Sequence, residues 1–175
     1  MKCPACSNDL SRKEAGGVKV DICEGGCGGM WFDNQELKKF DEPHESAGES
    51  LLDVEKSGNL KVDMNAKRKC PKCDNITMMQ HFFSVKREVM IDECPNCAGV
   101  WLDVGELRQI RKQFDSEEER KKAASDYFSD VIDAGMTQVG GETSSRTEKR
   151  KKFANIFKYI CPTQYIPGDQ DWGAF

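Results

Sequence analysis

The sequence predicts an α+β chain: two small metal-held units, each a β-hairpin running into a capped helix, joined by a linker. An additional amphipathic helix and a basic C-terminal segment follow them. Three observations predict this. Eight of the nine cysteines fall into two tetrads, Cys3-x2-Cys6-x16-Cys23-x3-Cys27 and Cys70-x2-Cys73-x20-Cys94-x2-Cys97. The residues after each tetrad repeat, as Gly-Met-Trp31-Phe-Asp33-Asn-Gln-Glu36-Leu37 and Gly-Val-Trp101-Leu-Asp103-Val-Gly-Glu106-Leu107. Trp31 to Trp101 and Glu36 to Glu106 are both 70 positions apart and Cys3 to Cys70 is 67, so the chain is an internal duplication. Between the cysteine pairs, apolar and polar residues alternate with the period of a strand.

Residues 1–40 form the first unit. Val18, Val20 and Ile22 alternate with polar neighbours and Ala15-Gly16-Gly17 makes the turn before them. A hairpin set between two cysteine pairs brings both pairs to one end, where four sulfurs can surround a metal at about 2.3 Å. Two glycines in Cys23-Glu-Gly-Gly-Cys27 suit a widened knuckle, because glycine accepts backbone angles that other residues resist. Asp33, three before Glu36, and Asp103, three before Glu106, have the spacing of a capping box with Asp as N-cap. Phe32 with Leu37, and Leu102 with Leu107, occupy the positions of a hydrophobic staple. Trp31 and Trp101 then fall where they cover the sulfurs, burying indole area.

Residues 41–66 read as an acidic linker with Pro43, Gly48 and Gly58, in which 50–54 has the makings of one short helix. His44 lies here and reads as solvated. Residues 67–114 are the second unit, with strands expected over 76–83 and 85–91 and a helix from Asp103 that buries Leu107, Ile110 and Phe114. His81 is no ligand in this reading, since the cysteine tetrad is complete. An N-cap with acids in the first turn opens a helix over 115–135, whose Ala124, Tyr127, Phe128, Val131 and Ile132 share a face. Residues 136–146 read as a flexible linker, and 147–175 as a basic amphipathic segment and tail containing the unpaired Cys161.

The composition limits what such a chain does. With 175 residues, 38% apolar and 32% charged, it has a poor ratio for one large core, and bound metal supplies the missing stability. No stretch is apolar enough for a signal segment or a membrane span, and the chain opens directly with Met1-Lys2-Cys3. That places it in the reducing cytoplasm, where paired cysteines are metal ligands more often than disulfides. The formal charge of −4 counts cysteines as neutral. Four thiolates around one Zn²⁺ add about −2 per site, an unfavourable field for gripping phosphates. From Arg146 to Cys161 six Lys/Arg stand against one Glu, net +5, so the rest of the chain carries −4 less +5, or −9.

Two tetrads in register are a strong metal signal. All-cysteine sets with no histidine favour Zn²⁺ or, as in rubredoxin-like electron carriers, iron. Four filled positions leave none open for water or substrate, so the metal is expected to be structural. There is no nucleophile–base pair, no phosphate-cradling glycine loop and no paired carboxylates, so the chain is not expected to be an enzyme.

Over about 3–40 and 70–110 the pair–hairpin–pair pattern and the two Trp-x-Asp-x-x-Glu-Leu runs resemble the transcription factor IIB-type zinc ribbon family of small, mostly prokaryotic proteins. The resemblance implies two zinc ribbons and two Zn²⁺, one held by Cys3, Cys6, Cys23 and Cys27 and the other by Cys70, Cys73, Cys94 and Cys97. The widened Cys23–Cys27 knuckle departs from the family's usual pair. Two functions follow as expectations. One is an adaptor whose ribbons present surfaces to a protein partner, such as the transcription machinery. The other is a nucleic-acid-binding regulator acting through 146–161, because a −9 body gains nothing from counterion release.

Overall fold

The computed structural model describes residues 1–58 and 60–137, the side chains of 131–137 excepted. The expectations for the basic segment, its tail and Cys161, and nearly all of the 136–146 linker, lie outside the described residues. Within them, six strands form a single antiparallel sheet: β1 (Ser11–Ala15), β2 (Val18–Ile22), β3 (Met30–Phe32), β4 (Met79–Phe82), β5 (Met90–Glu93) and β6 (Val100–Leu102). Their order is β1-β2-β3-β6-β5-β4, so each copy supplies three strands and the copies meet in the middle. At that join Met30 pairs with Leu102, Trp31 with Trp101 and Phe32 with Val100. Residues expected to lead into helices are thus also strands, and the two ribbons share a sheet as well as a linker.

Strand alternation sorts the side chains onto two faces. Met30, Phe32, Val100 and Leu102 join Val18, Val20, Ile22 and Ile91 in one apolar cluster. Trp31 and Trp101, at the intervening positions, join the cysteines in a second cluster. One sheet thereby carries an ordinary hydrophobic core on one side and both sulfur groups on the other.

The first hairpin has the expected turn, with Gly16 and Gly17 at φ of 54° and 77°. The second is shorter than its expected strands. Ser84 to Glu88 turns instead of pairing: Arg87 has φ 56°, Lys86 N–H donates to Ser84 Oγ at 3.2 Å, and Phe83 N–H closes on Val89 C=O at 2.8 Å. Val85 and Val89 suit a strand by propensity, but the buried Ser84 hydroxyl, which donates to Gln113 Oε1 at 2.8 Å, anchors the turn.

The helices pack on the apolar face. The short helix of the acidic stretch, expected at 50–54, is α1 (Ser46–Leu52), which buries Leu51. α2 (Glu106–Ile110) buries Leu107 and Ile110. Its counterpart in the first copy is only a 3-10 turn, Leu37–Lys39. Arg111 bolts the acidic stretch down. Its guanidinium donates to the carbonyls of Phe40, Pro43 and Glu45 at 3.0–3.1 Å and to Glu49 at 2.7 Å. α3 (Glu117–Thr137) begins as expected, with three acids in its first turn. It is tied to the body by the buried Arg120, which pairs with the buried Asp41. Among the described residues no helix is long and apolar enough to cross a membrane.

Candidate metal centre

Each hairpin ends where its two cysteine pairs converge. In the first group Cys3 Sγ lies 3.4 Å from Cys27 Sγ, and Cys6 Sγ lies 3.4 Å from Cys23 Sγ. In the second, Cys70 and Cys97 sulfurs are 3.8 Å apart. Within each tetrad the four sulfurs all lie within 4.8 Å of one another. A regular tetrahedron with metal–sulfur bonds of about 2.3 Å has sulfur–sulfur edges of about 3.8 Å. A disulfide would need about 2.05 Å. The eight cysteines are free thiols spaced as a tetrahedral ion requires, so each group is able to bind a zinc ion.

The surroundings fit anionic sulfur. Ala5 N–H points at Cys3 Sγ at 3.4 Å, and Lys72 and Cys73 N–H groups point at Cys70 Sγ at 3.4 and 3.2 Å. Asn96 adds a side-chain donor, Nδ2 to Cys73 Sγ at 3.2 Å. Donors aimed at sulfur stabilise the thiolate over the thiol. Asn96 sits inside the second Cys-x2-Cys, an amide beside a thiolate, and sequence reading passed over it.

Several thiols in each group bias one another's ionisation. The contact between the Cys3 and Cys27 sulfurs holds Cys3 down at about 5 and pushes Cys27 upward, burial adding to the rise. Burial first, then the neighbouring sulfurs, raises Cys23 and Cys70 to about 11 and drives Cys97 upward too. The Asn96 amide draws Cys73 down. A divalent cation removes that conflict by neutralising the sulfurs together, and its binding releases protons, so acid weakens it.

The turn after each tetrad keeps half of the expected capping box. Glu36 Oε2 accepts from Asp33 N–H and Glu106 Oε2 from Asp103 N–H, both at 2.8 Å. The aspartates do not act as the expected helix N-caps. Asp33 Oδ1 accepts from Trp31 Nε1 at 3.2 Å and Asp103 Oδ1 from Trp101 Nε1 at 2.9 Å. The helical residues begin later, after Glu36 and Gly105, neither of which makes a side-chain cap. The pattern Trp-x-Asp therefore satisfies a buried indole N–H. Asp103 also accepts from the buried Arg68 at 2.6 Å, and the half-buried Asp33 pairs with Lys72 at 2.8 Å.

Burial raises the Glu106 carboxyl to about 8, with the backbone N–H of Asp103 and Arg68 opposing and Asp103 and Asp92 reinforcing the shift. The folded state then holds a proton that the unfolded chain has released above its ordinary carboxylate range. Glu106 therefore destabilises the fold progressively as pH rises from about 4.5 to 8. Glu106→Gln keeps an oxygen for Asp103 N–H and removes the titration. The expected outcome is a Tm gain over the parent that is larger at pH 8 than at pH 5. Thermal melts at the two values check it, and an equal difference at both would contradict the assignment.

His81 is buried on β4, its Nε2 4.0 Å from Glu93, apart from the sulfur groups. His44 stands in the acidic stretch and joins neither cluster.

The family model for the transcription factor zinc-finger, the transcription factor IIB-type zinc ribbon, matches residues 2–42 and 69–113, so the chain carries two copies of that ribbon. Comparison with curated proteins and with solved structures returns no match.

Proposed function

We propose that this chain, with two zinc ribbons fused through one sheet, is a non-enzymatic adaptor. Cys3, Cys6, Cys23 and Cys27 hold one structural Zn²⁺ and Cys70, Cys73, Cys94 and Cys97 hold a second. The rigid body so formed presents its surface to a protein partner in the cytoplasm. The observation that carries this reading is the closure of both groups. Every tetrahedral position has its own cysteine sulfur, which leaves none for a substrate or an activated water. The family supports a non-catalytic structural role, and its description points to the transcription machinery as the partner class.

The net charge supports protein contact ahead of nucleic acid. Outside 146–161 the chain carries −9, and thiolate-bound zinc makes it more negative. Such a body is repelled by phosphates and attracted to basic protein surfaces. The test is retention of purified RNA polymerase by the immobilised, zinc-loaded full chain, against a chelator-treated control. Retention only in the zinc-loaded form supports the reading, and equal passage through both columns overturns this choice of partner.

The +5 charge of 146–161 favours one alternative, a nucleic-acid regulator that grips phosphates through that segment alone. Deleting 146–175 is expected to abolish any affinity for duplex DNA or RNA in a gel-shift assay while two zincs stay bound. Affinity surviving the deletion would assign the contact to the ribbons.

A further inference from the structure

The two sulfur groups are locked to each other through the middle of the sheet. Trp31 and Trp101 stand opposite one another on β3 and β6, and both are fully buried. Each indole lies against the other copy's metal-binding turn. A Cβ built on Gly99, two residues past Cys97, would stand only 2.1 Å from Cζ2 of Trp31, and one built on Gly29, two residues past Cys27, only 2.2 Å from Cζ2 of Trp101. Those glycines are themselves tied to a cysteine of each tetrad. Gly29 C=O accepts from Cys23 N–H and Gly99 C=O from Cys94 N–H, both at 2.9 Å.

Two further contacts cross the same boundary, and one buried cluster spans it. Lys72, between Cys70 and Cys73, reaches Asp33 of the first copy at 2.8 Å. A Cβ on Gly28, next to Cys27, would stand 3.1 Å from Val104 Cγ2 of the second copy. Cysteines of both groups and both tryptophans belong to a single buried cluster. A lone ribbon contains none of these cross-contacts.

We propose that the two metal centres form one cooperative unit: filling either group orders the backbone and the indole that complete the other, so the two ions bind and leave as a pair. The coupling is reciprocal by linkage, and the ring-on-glycine packing that carries it is made twice across the join. Ordering that the first ion brings about is ordering the second need not supply. This inference rests on the reading of both groups as zinc sites.

The experiment is a Zn²⁺ titration of the reduced, metal-free full chain, followed by native mass spectrometry. Independent, equal sites would put half of the molecules in the one-zinc form at half saturation. A ten-fold mutual enhancement lowers that share to about a quarter. The expected result is a one-zinc share below a third with two ions bound at saturation. A share of a third or more, with two ions bound at saturation, overturns the coupling and leaves the zinc reading intact. Failure to take up two ions overturns the zinc reading itself. A second variant tests the route. Trp31→Phe with Trp101→Phe removes the reach onto the glycines while keeping aromatic bulk. It is expected to bind two ions with the one-zinc share risen to half or above, and a share unchanged from the parent overturns the indole route.

Discussion

Serine in place of Cys94 is expected to abolish cooperative unfolding and to strip zinc from the chain. The Cys94 sulfur is fully buried, and its N–H is the one that closes on Gly99. A hydroxyl there is a poor zinc ligand and leaves a vacant tetrahedral position. Binding of structural zinc contributes about 10–16 kcal/mol in small metal-dependent folds. A domain's whole stability is about 5–15 kcal/mol. No rearrangement of a core this small makes up a loss on that scale. Metal analysis and near-UV circular dichroism of the purified variant measure it, and two zincs per chain with a parental spectrum would contradict the account. Cys161→Ser is the control and is expected to change neither zinc content nor Tm. A fall in zinc in that variant would mean the ligand sets are wrongly drawn.

Alanine at Gly99 is expected to be the most damaging small substitution. The new methyl group has no room, because the Trp31 ring occupies its position, and Trp31 is itself fully buried at the centre of the sheet. Rigid indole and backbone both resist displacement, so the overpacking cost lies at the high end of the usual range, about 3 kcal/mol. For a chain of this length that corresponds to a fall in Tm of roughly 10 °C. Gly29→Ala, pressed on Trp101, is expected to behave alike. Gly58→Ala is the contrast: nothing lies within reach of its added Cβ, and its Tm should hold. Thermal melts of the three variants decide the point, and parental stability in Gly99→Ala would show that the indole does not sit on that backbone.

What the sequence made legible follows from local chemistry. Cysteine spacing foretold both sulfur groups, since thiolates are few and their separation along the chain sets which can converge. Gly16-Gly17 foretold the first turn, and Glu36 and Glu106 foretold the bonds to Asp33 and Asp103 N–H, because each is an interaction within a few residues. The join was not legible. β3 and β6 are three residues long and buried on both faces, so they show no alternation of apolar and polar. Gly29 and Gly99 had no role in the sequence reading, although close approach of a ring is the reason for a glycine there. The signal was the twin Gly-Met-Trp-Phe and Gly-Val-Trp-Leu runs, each a glycine followed by three apolar residues. The missed partners of the aspartates share a cause. Trp-x-Asp spacing does not distinguish an N-cap from an acceptor for indole until the strand alternation is known.

On this reading two thiolate-held zinc ions maintain the fused sheet. Metal analysis of the reduced full chain, joined to its visible absorption spectrum, tests it most directly. The expected result is two zinc ions per chain and a colourless solution that loses its tertiary circular dichroism when a strong chelator removes them. A red, iron-containing protein, or a folded protein free of metal with its cysteines joined as disulfides, would contradict it.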